Sequence, residues 1–84
     1  MDNDFVGLWL SADHSVRKIL LPNGRFIALV GDDIRHQGEY RIEGRRIAYH
    51  KDGGIVGEGE FIDGVLYGGA MALYAEGYDE VMAA

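Results

Sequence analysis

The chain has 84 residues, enough for one domain, and carries eight Lys and Arg against fourteen Asp and Glu, giving a formal net charge of -6. This acidic balance disfavours contact with the phosphate backbone of a nucleic acid or with an anionic lipid surface. The absence of cysteine excludes disulfides, thiolate nucleophiles and cysteine-based metal sites.

Turn sequences divide the chain into short apolar runs at intervals of about ten residues. They are Asn23-Gly24, Asp32-Asp33, Glu43-Gly44, Asp52-Gly53-Gly54 and Asp63-Gly64. Gly adopts positive φ without steric cost and Asn or Asp tolerates it, so these pairs favour tight turns between antiparallel strands. The runs between them predict seven strands, at about 5–12, 16–21, 25–30, 34–42, 45–51, 55–62 and 65–73. Residues 74–78 are a candidate eighth strand.

A meander of this regularity predicts an all-β fold, namely a small antiparallel up-and-down β-barrel of 7–8 strands. We expect a single domain over residues 1–84, with its core within about 5–75 and a flexible acidic tail at 76–84. The chain begins without a basic leader followed by an apolar stretch, so no secretory signal is predicted. No apolar run approaches the roughly 18–20 residues that span a bilayer. We therefore expect a cytoplasmic protein with neither a nucleic-acid nor a membrane partner.

Alternation along the strands predicts which side chains face the barrel interior. In the fourth strand the charged set must face water, which leaves the other set inward: Ile34, His36, Gly38, Tyr40 and Ile42. The same reasoning predicts an inward set in the later strands: Ile47, Tyr49, Ile55, Gly57, Gly59, Phe61, Tyr67, Gly69, Met71 and Leu73. The inward glycines allow sharp bends and remove side-chain volume, which favours a cavity.

Three segments carry a resemblance to a known group of barrels. They are Gly7-Leu8-Trp9, Leu21-Pro22-Asn23-Gly24-Arg25-Phe26 and Gly38-Glu39-Tyr40. With the complete meander, the chain resembles the calycin superfamily, and within it a small bacterial family of streptavidin-like domains of unknown function. The resemblance implies that Trp9 packs across the closed end of the barrel. Avidins hold biotin between several tryptophans and this chain has one, so biotin is not implied as the ligand.

The inward aromatic set with its histidine is the candidate ligand-binding site, made of His36, Tyr40, Tyr49, Phe61 and Tyr67. Tyrosines give a pocket an apolar body with hydroxyl groups, and a histidine with an ordinary pKa of about 6.5 can bind or protonate a ligand. The alternative is that these residues only fill the core. The three histidines lack metal-ligand spacing, so no metal site is predicted; neither is a cofactor nor a catalytic group.

Three functions remain open from the sequence. The first is a non-enzymatic domain that binds a small, largely apolar molecule at the open barrel end. The second is an enzyme, such as a cyclase or isomerase, that acts by confinement and one acid–base group. The third is an interaction module with a filled barrel, which forms a homodimer through strands one to three because both faces of those strands are apolar. The alternative for those strands is that the two chain termini cover their outer face.

Overall fold

Eight β-strands form a closed barrel in the structure, a computed structural model that describes residues 5–51, 54–69 and 71–76. The strands are β1 Gly7–Leu10, β2 Val16–Leu20, β3 Arg25–Val30, β4 Asp33–Glu43, β5 Arg46–Lys51, β6 Gly54–Ile62, β7 Val65–Gly68 and β8 Met71–Ala75. Each strand pairs antiparallel with the next, and β8 pairs with β1. The predicted all-β barrel is therefore confirmed. Residues 77–84 of the predicted tail lie outside the described residues.

The predicted seventh strand, 65–73, is two strands. The chain turns at Gly69, whose φ of 58° lies in the left-handed region that Gly adopts without strain. β8 therefore begins at Met71, three residues before the predicted eighth strand. Gly69 belongs to this turn, so the prediction that it faces the barrel interior is wrong.

A β-bulge in β4 changes the direction of the side chains that precede it. Ala28 of β3 pairs with His36, whereas Leu29 pairs with Ile34, so Arg35 is an extra residue in β4. Because one extra residue moves the neighbouring side chains to the other face, Ile34 shares the face of Leu29. The side chain of Ile34 is 55% exposed, and its predicted inward position is wrong.

A second bulge lies in β6. Tyr49 of β5 pairs with Gly57, whereas His50 pairs with Ile55, which leaves Val56 as the extra residue. The effect on the preceding residue is the same as in β4. Ile55, which strict alternation predicts to face inward, is 58% exposed.

The barrel interior holds one cluster of buried side chains. It comprises Trp9, Leu20, Phe26, Tyr40, Ile47, Tyr49, Phe61, Leu66 and Leu73. At the end where β1 begins, the ring of Phe5 stacks on Phe61 with 3.8 Å between centroids, and Trp9 lies 5.3 Å from Phe61. The Trp9 indole Nε1–H donates a hydrogen bond of 2.9 Å to the Phe5 carbonyl. We call this group of three rings the aromatic plug.

The first hairpin is held by a carboxylate in its loop. Asp13 accepts hydrogen bonds from the Ser15 hydroxyl at 2.7 Å, the Ser15 amide at 3.0 Å and the Ser11 hydroxyl at 2.9 Å. These donors stabilise the charged form and lower the pKa of Asp13 to about 2. The hairpin lies at the barrel end opposite the aromatic plug, because β1 runs from the plug toward this loop.

Candidate functional site

The structure brings three of the five predicted site residues together inside the barrel. Tyr40, Tyr49 and Phe61 belong to the buried cluster, and Tyr40 and Tyr49 are cross-strand partners. His36 and Tyr67 are exposed and take no part in that cluster. The five residues therefore do not line a single pocket.

His36 is exposed because the start of β4 extends beyond its neighbour β5. The β4–β5 pairing begins at Glu39 and His50, so residues 33–38 of β4 are paired with β3 alone. His36 lies opposite Ala28 in this projecting part, and its side chain is exposed. His36 therefore has the inward-face register that the sequence predicts, but it lies beyond the closed part of the barrel and outside the buried cluster.

Tyr67 lies on the outer face of the barrel. The inner face at this level is formed by Phe61, Leu66 and Leu73, which are direct partners in register. Tyr67 follows Leu66 and pairs with Glu60, so its side chain points the other way and is 45% exposed. The inward prediction is wrong because it counted alternation through the turn at Gly69.

Tyr40 and Phe61 both have their polar or aromatic contacts within the core. The Tyr40 hydroxyl donates a hydrogen bond of 2.6 Å to the Leu21 carbonyl. Phe61 is enclosed by the other two rings of the aromatic plug. Both residues fill the half of the barrel that contains the plug.

Tyr49 differs from Tyr40 in one respect. Its side chain is only 4% exposed, yet its hydroxyl is buried without a hydrogen-bond partner among the described residues. Burial raises the pKa of this phenol, so the hydroxyl keeps its proton and is a free donor. The ring packs against Phe26, with 4.9 Å between centroids.

Lys18 completes this site, and the sequence analysis did not select it. Its register partners are Trp9 and Ala28, which places it on the inner face of β2, and its side chain is half-buried. The Lys18 Nζ lies 3.9 Å from the centroid of the Tyr49 ring. Burial lowers the pKa of Lys18, and no described carboxylate lies within 4 Å of its ammonium group. The strand pattern of β2 could have predicted this inward position, because Lys18 lies two residues before the core residue Leu20 and therefore on the same face.

The Lys18–Tyr49 pair lies toward the barrel end opposite the aromatic plug. Beside the Tyr49 ring, a Cβ added to Gly57 would meet one atom within 4 Å, the ring carbon Cδ2 at 3.6 Å. Gly57 therefore leaves space against the ring. Farther toward the same end, Val30 and Met71 are exposed although both occupy inner-face register positions. The site thus has an aromatic floor, one ammonium group, one hydroxyl donor and an apolar rim.

A separate groove of about 280 Å³ lies on the outer face of β4, β5 and β6. Its charged and ionisable lining residues are Arg41, Glu43, Arg46, His50 and Glu58. The positive and negative groups alternate, which gives the groove no field of one sign. None of the five predicted ligand-binding residues lines it.

Among residues 5–51, 54–69 and 71–76, no three His, Asp or Glu side chains come close enough to hold a metal ion. The same residues include no helix with the length and apolarity needed to cross a membrane.

Comparisons with known proteins place this barrel in a family. Residues 2–75 match the family model described as Agrobacterium tumefaciens protein Atu4866. The solution structure of Atu4866 from Agrobacterium tumefaciens is 37% identical in sequence and superposes with a TM-score of 0.76, over 90% of this chain and 99% of that one. No curated protein matches the chain. The chain therefore belongs to the Atu4866 family of small β-barrel proteins.

Proposed function

We propose that this protein binds a small, largely apolar molecule in the barrel end opposite the aromatic plug, against the ring of Tyr49. The observation that carries the proposal is the buried Tyr49 hydroxyl, which has no hydrogen-bond partner within residues 5–51, 54–69 and 71–76. Buried polar groups in proteins nearly always have hydrogen-bond partners, because leaving one unpaired costs about 1–3 kcal/mol. A ligand acceptor at this position would remove that cost.

The surroundings of Tyr49 favour an apolar ligand body. The space beside Gly57 adjoins the ring carbons, and Val30 and Met71 present apolar side chains at the rim. Burial of hydrocarbon against such a surface contributes about 25 cal/mol per Å². The ligand body would therefore lie along Gly57 and the Tyr49 ring, with its polar group toward the hydroxyl.

Access to the hydroxyl requires one side chain to move. The Tyr49 oxygen is closed to solvent, and the Lys18 side chain covers part of the ring. Lys18 has a flexible four-carbon chain, so it can swing away from the ring without a change in the barrel backbone. The ligand body would take the place of the Lys18 methylene chain over the ring, with the Lys18 ammonium still beside the polar group of the ligand.

The test is an NMR titration of the isotope-labelled full chain with octan-1-ol. We expect shift changes at Lys18, Tyr49 and Gly57, and none at Arg46 and Glu58 in the outer groove. A Gly57→Leu variant, which fills the space beside the ring, should abolish the changes. The control Ile62→Leu places leucine at an exposed outer position of β6, away from the site, and folding of both variants is checked by circular dichroism. Changes confined to the outer groove, or none up to the solubility limit, would contradict the proposal.

Three finer proposals rest on the sequence. The streptavidin-like resemblance is supported by the eight-stranded meander and by the position of Trp9 in the aromatic plug. A cytoplasmic location stays a prediction, as does the confinement-type enzyme. For the enzyme, the exposed position of His36 leaves Lys18 as the ionisable group that faces the barrel interior beside Tyr49.

A further inference from the structure

We propose that the ligand of this barrel carries a carboxylate, and that the Lys18 ammonium and the Tyr49 hydroxyl bind it together. This inference rests on the proposed function, because it names the polar group of the molecule that the same barrel end would hold. It is carried by the juxtaposition of two donors on one aromatic ring, with no acceptor from the described residues between them.

The first argument is the chemistry of the two groups. An ammonium group donates hydrogen bonds and accepts none, and a protonated phenol whose hydrogen is unused needs an acceptor. A group that satisfies both must accept from two directions. An ionised carboxylate has two oxygens and no donor, so it fits this pair of donors without leaving a ligand donor unpaired.

The second argument is charge. The chain has a net charge of -6, yet the half-buried ammonium of Lys18 has no described carboxylate within 4 Å. The other cationic side chains with described ion pairs, Arg17 and Arg45, have Asp32 and Glu60 near them. Moving an ammonium group out of water is unfavourable unless an anion or hydrogen bonds compensate, and contact with an aromatic face compensates only in part. An anionic ligand supplies what the described residues lack.

The third argument limits the anion to a small one of single charge. Lys18 is the cation of this site, and the register partners and ring contact of Lys18 and Tyr49 carry no charge: Trp9, Ala28, Tyr40, Gly57 and Phe26. Phosphate groups in proteins are usually bound by arginine pairs or by several backbone amides at a helix terminus. No arginine is a register partner of Lys18 or Tyr49, and the described residues form strands and turns without a helix. A carboxylate on an apolar chain matches both the single ammonium and the apolar rim.

The test compares octanoate with octan-1-ol, which share the hydrocarbon chain and differ in the polar group. Affinities are measured by NMR titration of the full chain at pH 7. We expect octanoate to bind at least about tenfold more tightly than the alcohol, because its hydrogen bonds to Lys18 and Tyr49 are charge-assisted. Lys18→Met should remove this preference, so that octanoate and octan-1-ol bind the variant with affinities within about twofold of each other. Lys18→Arg should retain most of the preference.

The outcomes separate this inference from the proposed function. If the alcohol binds at Tyr49 and octanoate binds no better, the carboxylate inference is overturned while the apolar site stands. If Lys18→Met keeps its fold and also its preference for octanoate, Lys18 is not the anion-binding group. If neither probe binds, both proposals fail. Thermal unfolding of each variant shows that a lost preference does not come from a lost fold.

Discussion

At the scale of single residues, two tyrosines that face each other across β4 and β5 have opposite roles. Tyr40 donates a 2.6 Å hydrogen bond to the Leu21 carbonyl and so ties β4 to the turn after β2. Tyr49 is as well buried, but its hydroxyl has no partner in the part of the chain that the structure describes. The first hydroxyl stabilises the barrel, whereas the second is retained at a cost in stability that a ligand would offset.

Removing the two hydroxyls should therefore have different effects on the free energy of unfolding. We expect Tyr40→Phe to lower the free energy of unfolding by about 1 kcal/mol, through loss of its hydrogen bond to the Leu21 carbonyl, which keeps only its bond from the Gly24 amide. Tyr49→Phe should leave it unchanged or raise it by up to about 1–2 kcal/mol, since no bond is lost and a buried donor is removed. Urea unfolding measures both values. A loss at Tyr49 as large as that at Tyr40 would show that the Tyr49 hydroxyl has a partner in solution.

At the scale of elements, two glycines of β6 face the interior with different surroundings. A Cβ on Gly59 would lie 2.8 Å from the Tyr67 carbonyl oxygen and 3.1 Å from Leu66 Cδ1. A Cβ on Gly57 would make one ordinary contact of 3.6 Å with the Tyr49 ring. At Gly59, β6 and β7 approach so closely that a side chain would clash with the backbone. At Gly57, the missing side chain leaves space beside the Tyr49 ring.

Alanine substitution should distinguish these two positions. Gly59→Ala should destabilise the barrel by about 1–3 kcal/mol, because the nearest atom belongs to a paired strand backbone that cannot move alone. Gly57→Ala should change the free energy of unfolding by less than about 1 kcal/mol, and its methyl group adds apolar contact with Tyr49. Thermal or urea unfolding of the two variants provides the comparison. Equal losses would mean that the space beside Tyr49 is closed in solution.

The turns of the barrel could be predicted from the sequence, whereas its two bulges could not. Asn23-Gly24 and Asp63-Gly64 predicted their turns correctly, because those pairs favour the backbone conformations that tight turns require. The bulges at Arg35 and Val56 left no such mark, since neither residue has a special backbone preference. A bulge depends on how a strand pairs with its neighbour, and each one reversed an inward assignment made by strict alternation.

At the scale of the whole molecule, the regular meander of the sequence predicted the closed barrel. The candidate site was harder to predict, because it depends on how neighbouring and opposite strands are arranged, which alternation within one strand does not show. The exposure of His36 follows from the different lengths of paired β4 and β5. The role of Lys18 follows from the ring of Tyr49, which reaches it from across the barrel. Tyr49 was predicted correctly as an inward residue because its neighbours on β5 alternate cleanly.

The outer face of the first three strands carries apolar side chains that take no part in the core inside the barrel. Leu8, Ile19 and Ile27 are direct neighbours in register on the face opposite the core, and all three side chains are half-buried. On the next level of the same strands, Leu10 and Leu29 lie on either side of Arg17, which forms an ion pair with Asp32. A contiguous apolar area on the outside of a barrel is typical of an interface, which is the basis of the predicted homodimer.

Sedimentation velocity of the full chain tests that prediction. We expect a dimer, and we expect Ile19→Glu to give a monomer, because it places a like charge of each copy at the centre of the shared apolar row. Ile62→Glu is the matched control: it introduces the same charge at an exposed outer position on β6, away from β1–β3, and should leave the dimer intact. Circular dichroism must show that both variants keep the barrel. A monomeric wild-type chain, or equal dissociation of the two variants, would contradict an interface on β1–β3, while ligand binding inside the barrel would be unaffected.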